Sequence, residues 1–308
     1  MSDKETFKQE LDARTAEIEQ LIGTYLPEET GHQKTIFEAM NYSMKAGGKR
    51  LRPMLMQEMC RLFTGTLLEA VIPFMAAVEM IHTSSLVHDD LPCMDDDMMR
   101  RGKASTWAEY GEDIGVLTGD ALMMYAFETA ANAFETSIDP DELSRIGRAM
   151  GILARKTGVY GMIGGQTVDV ELAGGPIPGD KLEFIYRLKT GALIEASMLI
   201  GAVLGGAAEE DCKIVESLAA KIGMAFQIQD DILDVTGSQD VTGKPSGSDE
   251  KNKKTTYVTL EGLEKAKKDV EQISTEAIEE LNKLPGNNDF LEQLIRALVE
   301  VRLEIPLL

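Results

Sequence analysis

The sequence predicts an all-α protein, with one large domain whose central helices are buried on several sides. Three observations carry the prediction. Long segments rich in Met, Leu, Ala and Glu recur along the chain, and these side chains lose little freedom in a helix. No period-two alternation marks half-buried strands, and no strand–helix alternation suggests a parallel sheet. The helical segments are apolar over wide faces, as expected of helices inside a bundle.

Taken in order, residues 3–23 place Phe7, Leu11, Ile18, Leu21 and Ile22 among charges at roughly helical spacing. Gly47-Gly48 then breaks the pattern. Helices are predicted over 54–62 and 67–91, and Pro92 ends or kinks the second, because it lacks an amide hydrogen and disfavours helix in the residue before it. Further helices are predicted over 117–135 and 141–159, followed by a loop at Ala173-Gly174-Gly175-Pro176-Ile177-Pro178-Gly179. Residues 181–204, 208–234 and 260–284 complete the set. A polar stretch at 237–256 reads as a long functional or moving loop.

Composition excludes several classes. The chain has 308 residues, with 31 Lys and Arg against 52 Asp and Glu, a net charge of −21. An apolar content of 44% rules out a disordered chain. The acidic balance argues against nucleic acid or an anionic membrane as partner, so any anionic ligand must be held by local basic residues or bound cations. Cys60, Cys93 and Cys212 are scattered and odd in number, which fits a reducing cytoplasm and no disulfide framework. The start Met-Ser-Asp-Lys-Glu carries no signal pattern, and no run of eighteen apolar residues appears, so no stable membrane insertion is expected.

Two acidic runs carry the chemistry. The first is His88-Asp89-Asp90-Leu91-Pro92-Cys93-Met94-Asp95-Asp96-Asp97, with five carboxylates in nine residues. Such crowding is relieved by hard divalent cations, which take carboxylate and phosphate oxygens. Alone, it reads equally as a solvated helix end. The second is Asp230-Asp231-Ile232-Leu233-Asp234. Asp230 and Asp234 are four apart and share one helical face, amid apolar Phe226, Ile228, Ile232 and Leu233. Two such segments facing each other suit a diphosphate bridged by magnesium.

Basic runs supply a second anion site. Gly47-Gly48-Lys49-Arg50-Leu51-Arg52-Pro53 sets Lys49 and Arg52 three apart near backbone amides. Arg100-Arg101-Gly102-Lys103 follows the first acidic run, as an anion clamp or as charge balance for the aspartates. Gln166 and Asp169 share a helical face, and Gly191 after Lys189-Thr190 marks a kink or a close approach within a helix. No nucleophilic triad and no Walker-type loop is readable.

Together these runs resemble the trans-isoprenyl diphosphate synthases. The match rests on DDxxxxD (Asp89, Asp90, Asp95), DDxxD (Asp230, Asp231, Asp234), the Gly-Gly-Lys-Arg-Leu-Arg-Pro and Arg-Arg-Gly runs, Gly-Gln-Thr-Val-Asp and Phe-Gln-Ile-Gln-Asp-Asp. They occur in the family's order over about residues 40–260. The resemblance implies one polyprenyl synthetase domain over 1–308, a helical bundle around a deep central cavity, a homodimer and magnesium dependence. The implied reaction joins isopentenyl diphosphate head-to-tail to an allylic diphosphate (dimethylallyl, geranyl or farnesyl). By the same resemblance, Asp89, Asp90, Asp95, Asp230, Asp231 and Asp234 hold the metals, with Gln166 and Asp169 beside them. Lys49, Arg52, His82 and Arg101 match the isopentenyl diphosphate clamp. Arg100, Lys189, Lys244 and Lys254 match the residues that hold the allylic diphosphate. Thr190 and Gln227 match groups near the developing carbocation.

Ser84 and Ser85 precede Asp89 by five and four residues, about one helical turn below the metals. In the family, a bulky aromatic near here favours the fifteen-carbon product. Small residues at both positions point to geranylgeranyl over farnesyl, with Met80 and Ile81 as the next floor. Two segments depart from the family pattern, Ala104–Ala108 after the Arg-Arg-Gly-Lys run and the apolar end at 301–308. Lys244 and Lys254 suggest that the 237–256 loop orders over diphosphate. The alternatives are a farnesyl diphosphate synthase (geranyltranstransferase), a class I terpene cyclase, a non-catalytic partner subunit, and a plain acidic metal-binding protein. A cyclase needs no second diphosphate site, partner subunits typically lose their Asp motifs, and a plain metal binder leaves the basic runs unexplained.

Overall fold

The computed structural model describes residues 3–236 and 255–299. The elements follow as α1 (Asp3–Gly23), α2 (Lys34–Met44), α3 (Leu51–Thr64), α4 (Ile72–Asp89), the hairpin β1 (Met99–Arg100) and β2 (Lys103–Ala104), α5 (Thr106–Tyr110) and α6 (Glu112–Ala131). Then come α7 (Pro140–Thr157), α8 (Met162–Glu171), α9 (Gly179–Ile185), a π-helical turn (Tyr186–Gly191), α10 (Ala192–Leu204) and α11 (Glu209–Thr236). The last are α12 (Tyr257–Glu261), α13 (Leu263–Leu281) and α14 (Asp289–Val299).

Two apolar helices make the centre of the bundle. Every residue of α10 is buried, as a helix apolar on all sides requires. It packs against α3, α7 and α11. The stretch Glu69–Asp89, which carries α4, is the one among the described residues long and apolar enough to cross a membrane, and its apolar window is 78% buried inside the fold. It lies along α6, where Gly119 makes the close approach possible: a Cβ there would stand 2.0 Å from the His88 Nε2. Buried Glu58 on α3 ties the termini to the centre. It accepts from Arg14 of α1, from Arg61 at 3.0 Å, and from Asn288, just before α14, at 2.9 Å.

Local signals set several boundaries. Asp139 caps α7 by accepting from the Asp141 and Glu142 amides, with Pro140 in the first turn, where its missing N–H costs nothing. Gly65 ends α3 in the left-handed conformation. Arg101 and Gly102, both at positive φ, form the two-residue turn of the hairpin.

Sequence patterning missed α2, α5, α12, α14 and the hairpin. It also read 181–204 as one helix, whereas α9 and α10 are separated by the π-helical turn. The kink or close approach expected at Gly191 is that turn. Gly191 lies against Gly223 of α11, where an added Cβ would stand 2.9 Å from the Gly191 Cα. Lys244, Lys254 and the tail at 301–308 lie outside the described residues.

Candidate functional site

The site is built from the C-terminal end of α4, the hairpin, the start of α3, and the facing parts of α8, the π-helical turn and α11. Adjacent residues on a helix point about 100° apart, so Asp89 and Asp90 cannot face the same way. Asp89 is half-buried and accepts from the Gln166 Nε2 at 2.6 Å. Burial pushes its carboxyl up to about 6; Asp95 and Asp169 push the same way, while Lys189 and Arg100 oppose them. The chain after α4 folds back through bonds from the Asp95 amide to the Asp89 carbonyl (2.9 Å) and from the Asp97 amide to the Asp90 carbonyl (3.1 Å). That return brings Asp95 beside Asp89. Asp90 is 2% exposed and both its oxygens accept from the Arg100 guanidinium, with Nε at 3.0 and 3.2 Å. Both oxygens of Asp90 are thus engaged by Arg100.

The basic wall forms where Gly47-Gly48 leads into α3. Lys49 Nζ is buried without a hydrogen-bond partner, and burial lowers its pKa to about 8 against the opposing charge of Asp230. Arg52 Nε is likewise buried and unpartnered, and burial lowers the Arg52 pKa. His82 on α4 is held well below the usual imidazole value by burial and by Arg52, Arg101, Arg50 and Arg100. Arg101, one residue along the hairpin from Arg100, donates to the Gly47 carbonyl. Cations crowded without enough acceptors make a site for an anion. Arg50, within the same run, is used structurally: it pairs with Glu79 at 2.8 Å and donates to the Met44 carbonyl. A small cleft beside these residues is lined by Thr83, Asp90, Arg100, Arg101, Ser105 and Thr106 among others.

On the opposite side, α8 presents Gln166 and Asp169 from one face. Asp169 accepts from the Lys189 Nζ at 2.7 Å. Burial works against the Lys189 charge, but Asp89 and Asp169 outweigh it and hold the ammonium above its ordinary value. Lys189, Thr190 and Gln227 line one cleft, together with Asp169 and Tyr186. On α11, Asp230 is exposed and Asp234 half-buried, while Asp231 is 5% exposed. The Asp231 Oδ2 accepts from the Tyr186 hydroxyl at 2.6 Å and from the Tyr257 amide at 2.7 Å. Tyr186 was missed by sequence reasoning. Its only signal was its place three residues before Lys189, and a tyrosine in an apolar helix reads as core.

The floor residues divide as well. Ser85 stands on the Asp89 face and donates to the His82 carbonyl at 2.8 Å. Ser84 is wholly buried and donates to the Gly119 carbonyl at 2.7 Å. The Ser84 hydroxyl thus faces α6. His88 also turns to α6, with its Nε2 3.2 Å from the Val116 carbonyl.

Among the described residues no three carboxylates, histidines or cysteines converge closely enough to hold a metal by themselves. The donor chemistry nonetheless fits magnesium, which is commonly bound through one or two carboxylates plus substrate phosphates. The oxygens present are those of Asp89, Asp95 and the buried Gln166 Oε1, which has no hydrogen-bond partner.

Comparison with known proteins agrees with this geometry. Residues 33–296 match the family model for polyprenyl synthetase. The chain is 46% identical over 249 residues to a heterodimeric geranylgeranyl pyrophosphate synthase large subunit 1, chloroplastic, from Arabidopsis thaliana, covering 80% of this chain and 66% of that protein. The chain thus spans just under two thirds of the length of that relative. An FPP/GFPP synthase from Zymomonas mobilis has a similar structure, with a TM-score of 0.83, 32% identity and coverage of 96% and 99% of the two chains. A geranyltransferase from Helicobacter pylori, complexed with magnesium and isoprenyl diphosphate, gives a TM-score of 0.78 at 30% identity, covering 97% of each chain. With the helical bundle and the basic wall already in place, the match over residues 33–296 means that this chain belongs to the polyprenyl synthetase family.

Proposed function

We propose that the protein is a prenyltransferase that condenses isopentenyl diphosphate head-to-tail with dimethylallyl, geranyl and farnesyl diphosphates, with geranylgeranyl diphosphate favoured over farnesyl diphosphate as product. One observation carries the reading. Lys49 Nζ and Arg52 Nε are buried without hydrogen-bond partners, and the charge of Asp230 on α11 acts on Lys49, in a chain of this family. That arrangement suits two diphosphates, one held by cationic side chains and one through metal. The name of the Arabidopsis relative supports the twenty-carbon product.

In this reading Lys49, Arg52, His82 and Arg101 hold isopentenyl diphosphate. Arg100 and Lys189 bind the allylic diphosphate, joined by Lys244 and Lys254 from outside the described residues. Asp89, Asp95, Asp230 and Asp234 hold magnesium, which when bound offsets the charge developing on the departing diphosphate. Asp90 fixes the Arg100 fork, and Gln166 and Asp169 orient Asp89 and Lys189. The oxygen dipoles of Thr190 and Gln227 face the allylic carbon and stabilise positive charge there. Ile177, Leu182 and Ile185 beside them keep water away. The isopentenyl double bond then attacks, and the departed diphosphate takes the proton, so no protein general base is required.

We also propose a homodimer and one catalytic domain. The three cysteines are free, which supports a reducing compartment such as the cytoplasm. The experiment that tests the function supplies purified protein with magnesium, isopentenyl diphosphate and dimethylallyl diphosphate, and separates the dephosphorylated alcohols by chain length. Geranylgeraniol as the main product is expected. Farnesol would keep the reaction and overturn the product assignment. Hydrocarbons from farnesyl diphosphate alone would indicate a cyclase.

A further inference from the structure

Asp231 is the second carboxylate of the α11 pair, and its surroundings differ from those of a metal ligand. It is buried, and one oxygen accepts two hydrogen bonds from two different segments. The Tyr186 hydroxyl belongs to the first residue of the π-helical turn, and the Tyr257 amide to the first residue of α12. At its other end the same turn is seated against α11 by Gly191 on Gly223. Residues 223 and 231 are eight apart, about 12 Å along the helix. The turn is therefore held to α11 at both ends, and Lys189 and Thr190 lie between the two anchors. A π-helical turn is a rare, less favourable backbone, which persists where the surroundings over-determine it.

We propose that Asp231 is a positioning residue: through the Tyr186 hydroxyl it holds the π-helical turn in register, and so sets where Lys189 and Thr190 stand relative to the Asp89–Asp169 cluster. Lys189 must reach the Asp169 Oδ2 at 2.7 Å, and a slip of the turn would carry the ammonium and the Thr190 oxygens away together. The role of Asp231 is that of a hydrogen-bond acceptor, which an amide oxygen also fills, whereas a metal ligand needs the charge. This inference rests on the function proposed above and on Asp230 as the residue of the pair that faces the metal.

The test compares turnover and the magnesium concentration for half-maximal rate in the full-length wild type, Asp231→Leu, Asp231→Asn, Tyr186→Phe and Asp230→Asn. Tyr186→Phe removes one hydrogen bond to a carboxylate and is expected to lower kcat about tenfold at an unchanged magnesium requirement. Asp231→Leu is expected to lose at least as much, and Tyr186→Phe to add nothing in that background. Asp231→Asn should recover most of that loss at the wild-type magnesium requirement, while Asp230→Asn raises the requirement about tenfold or more. A magnesium requirement raised as far by Asp231→Asn as by Asp230→Asn would overturn the proposal. So would wild-type turnover in Tyr186→Phe. If Asp231→Leu does not fold, Tyr186→Phe and Asp231→Asn still decide the matter. Failure of the proposed function itself shows separately, as the absence of prenyl alcohols from the wild type.

Discussion

Lys49 shows how one side chain couples burial to binding. Its ammonium is taken from water with no hydrogen-bond partner, so its pKa falls to about 8 in the free protein despite the nearby Asp230. A diphosphate needs the charged form. As pH rises through about 8 that form is lost, so kcat/KM for isopentenyl diphosphate should fall. Below that pH the amine is fully charged and the dependence disappears. Lys49→Ala should raise KM for isopentenyl diphosphate roughly 10- to 100-fold, the worth of a charged hydrogen bond, and should remove this alkaline limb from the profile. Steady-state kinetics between pH 6.5 and 9.5, a range spanning about 1.5 units each side of the value, checks both. A limb that persists unchanged in the variant would assign the titration to another group.

At the scale of elements, the approach of α4 to α6 sets the position of the Asp89 end of the site. The His88 ring occupies the space where Gly119 lacks a Cβ, and Ser84 donates to the Gly119 carbonyl at 2.7 Å. Gly119→Ala would put a methyl group into the ring, and is expected to cost about 1–3 kcal/mol, as overpacked cores do. Thermal unfolding should show a lowered Tm. His88→Ala in the same chain should recover part of the loss, because it removes the atoms in conflict; strictly additive losses would count against this contact as the cause. The Glu58 cluster plays the same part for the chain ends, where one buried carboxylate serves Arg14, Arg61 and Asn288.

For the whole molecule, the outer face of α6 stands out. Val116, Leu117 and Met124 are 40%, 53% and 70% exposed on a helix whose inner face lies against α4. Exposed apolar groups gathered on one element are a common mark of an association surface. The proposed homodimer should therefore have about twice the 33.7 kDa chain mass by light scattering. Leu117→Glu together with Met124→Glu should shift it toward monomer without unfolding it. A wild-type monomer would remove the dimer from the proposal.

The all-α class, the long central helices and the ordered acidic and basic runs were legible in the sequence. Helix periodicity, glycine and proline punctuation and charge clustering are local properties of the chain, and so were read correctly at α1, α4, α7 and α11. The two-residue strands of the hairpin and the five-residue α5 and α12 were missed, because they offer too few periods for a pattern. The surroundings of each member of the two Asp pairs are decided only by tertiary structure. Asp89 and Asp90 are chemically identical neighbours, as are Asp230 and Asp231. Which one meets the cleft depends on the rotation of α4 and α11 about their axes, and that rotation is set by distant partners: Arg100 on the hairpin, Gly119 on α6, and Tyr186 with Gly191 on the π-helical turn. The sequence by itself determined which groups are available for the chemistry; packing between segments far apart in the chain decided which of them point at the site.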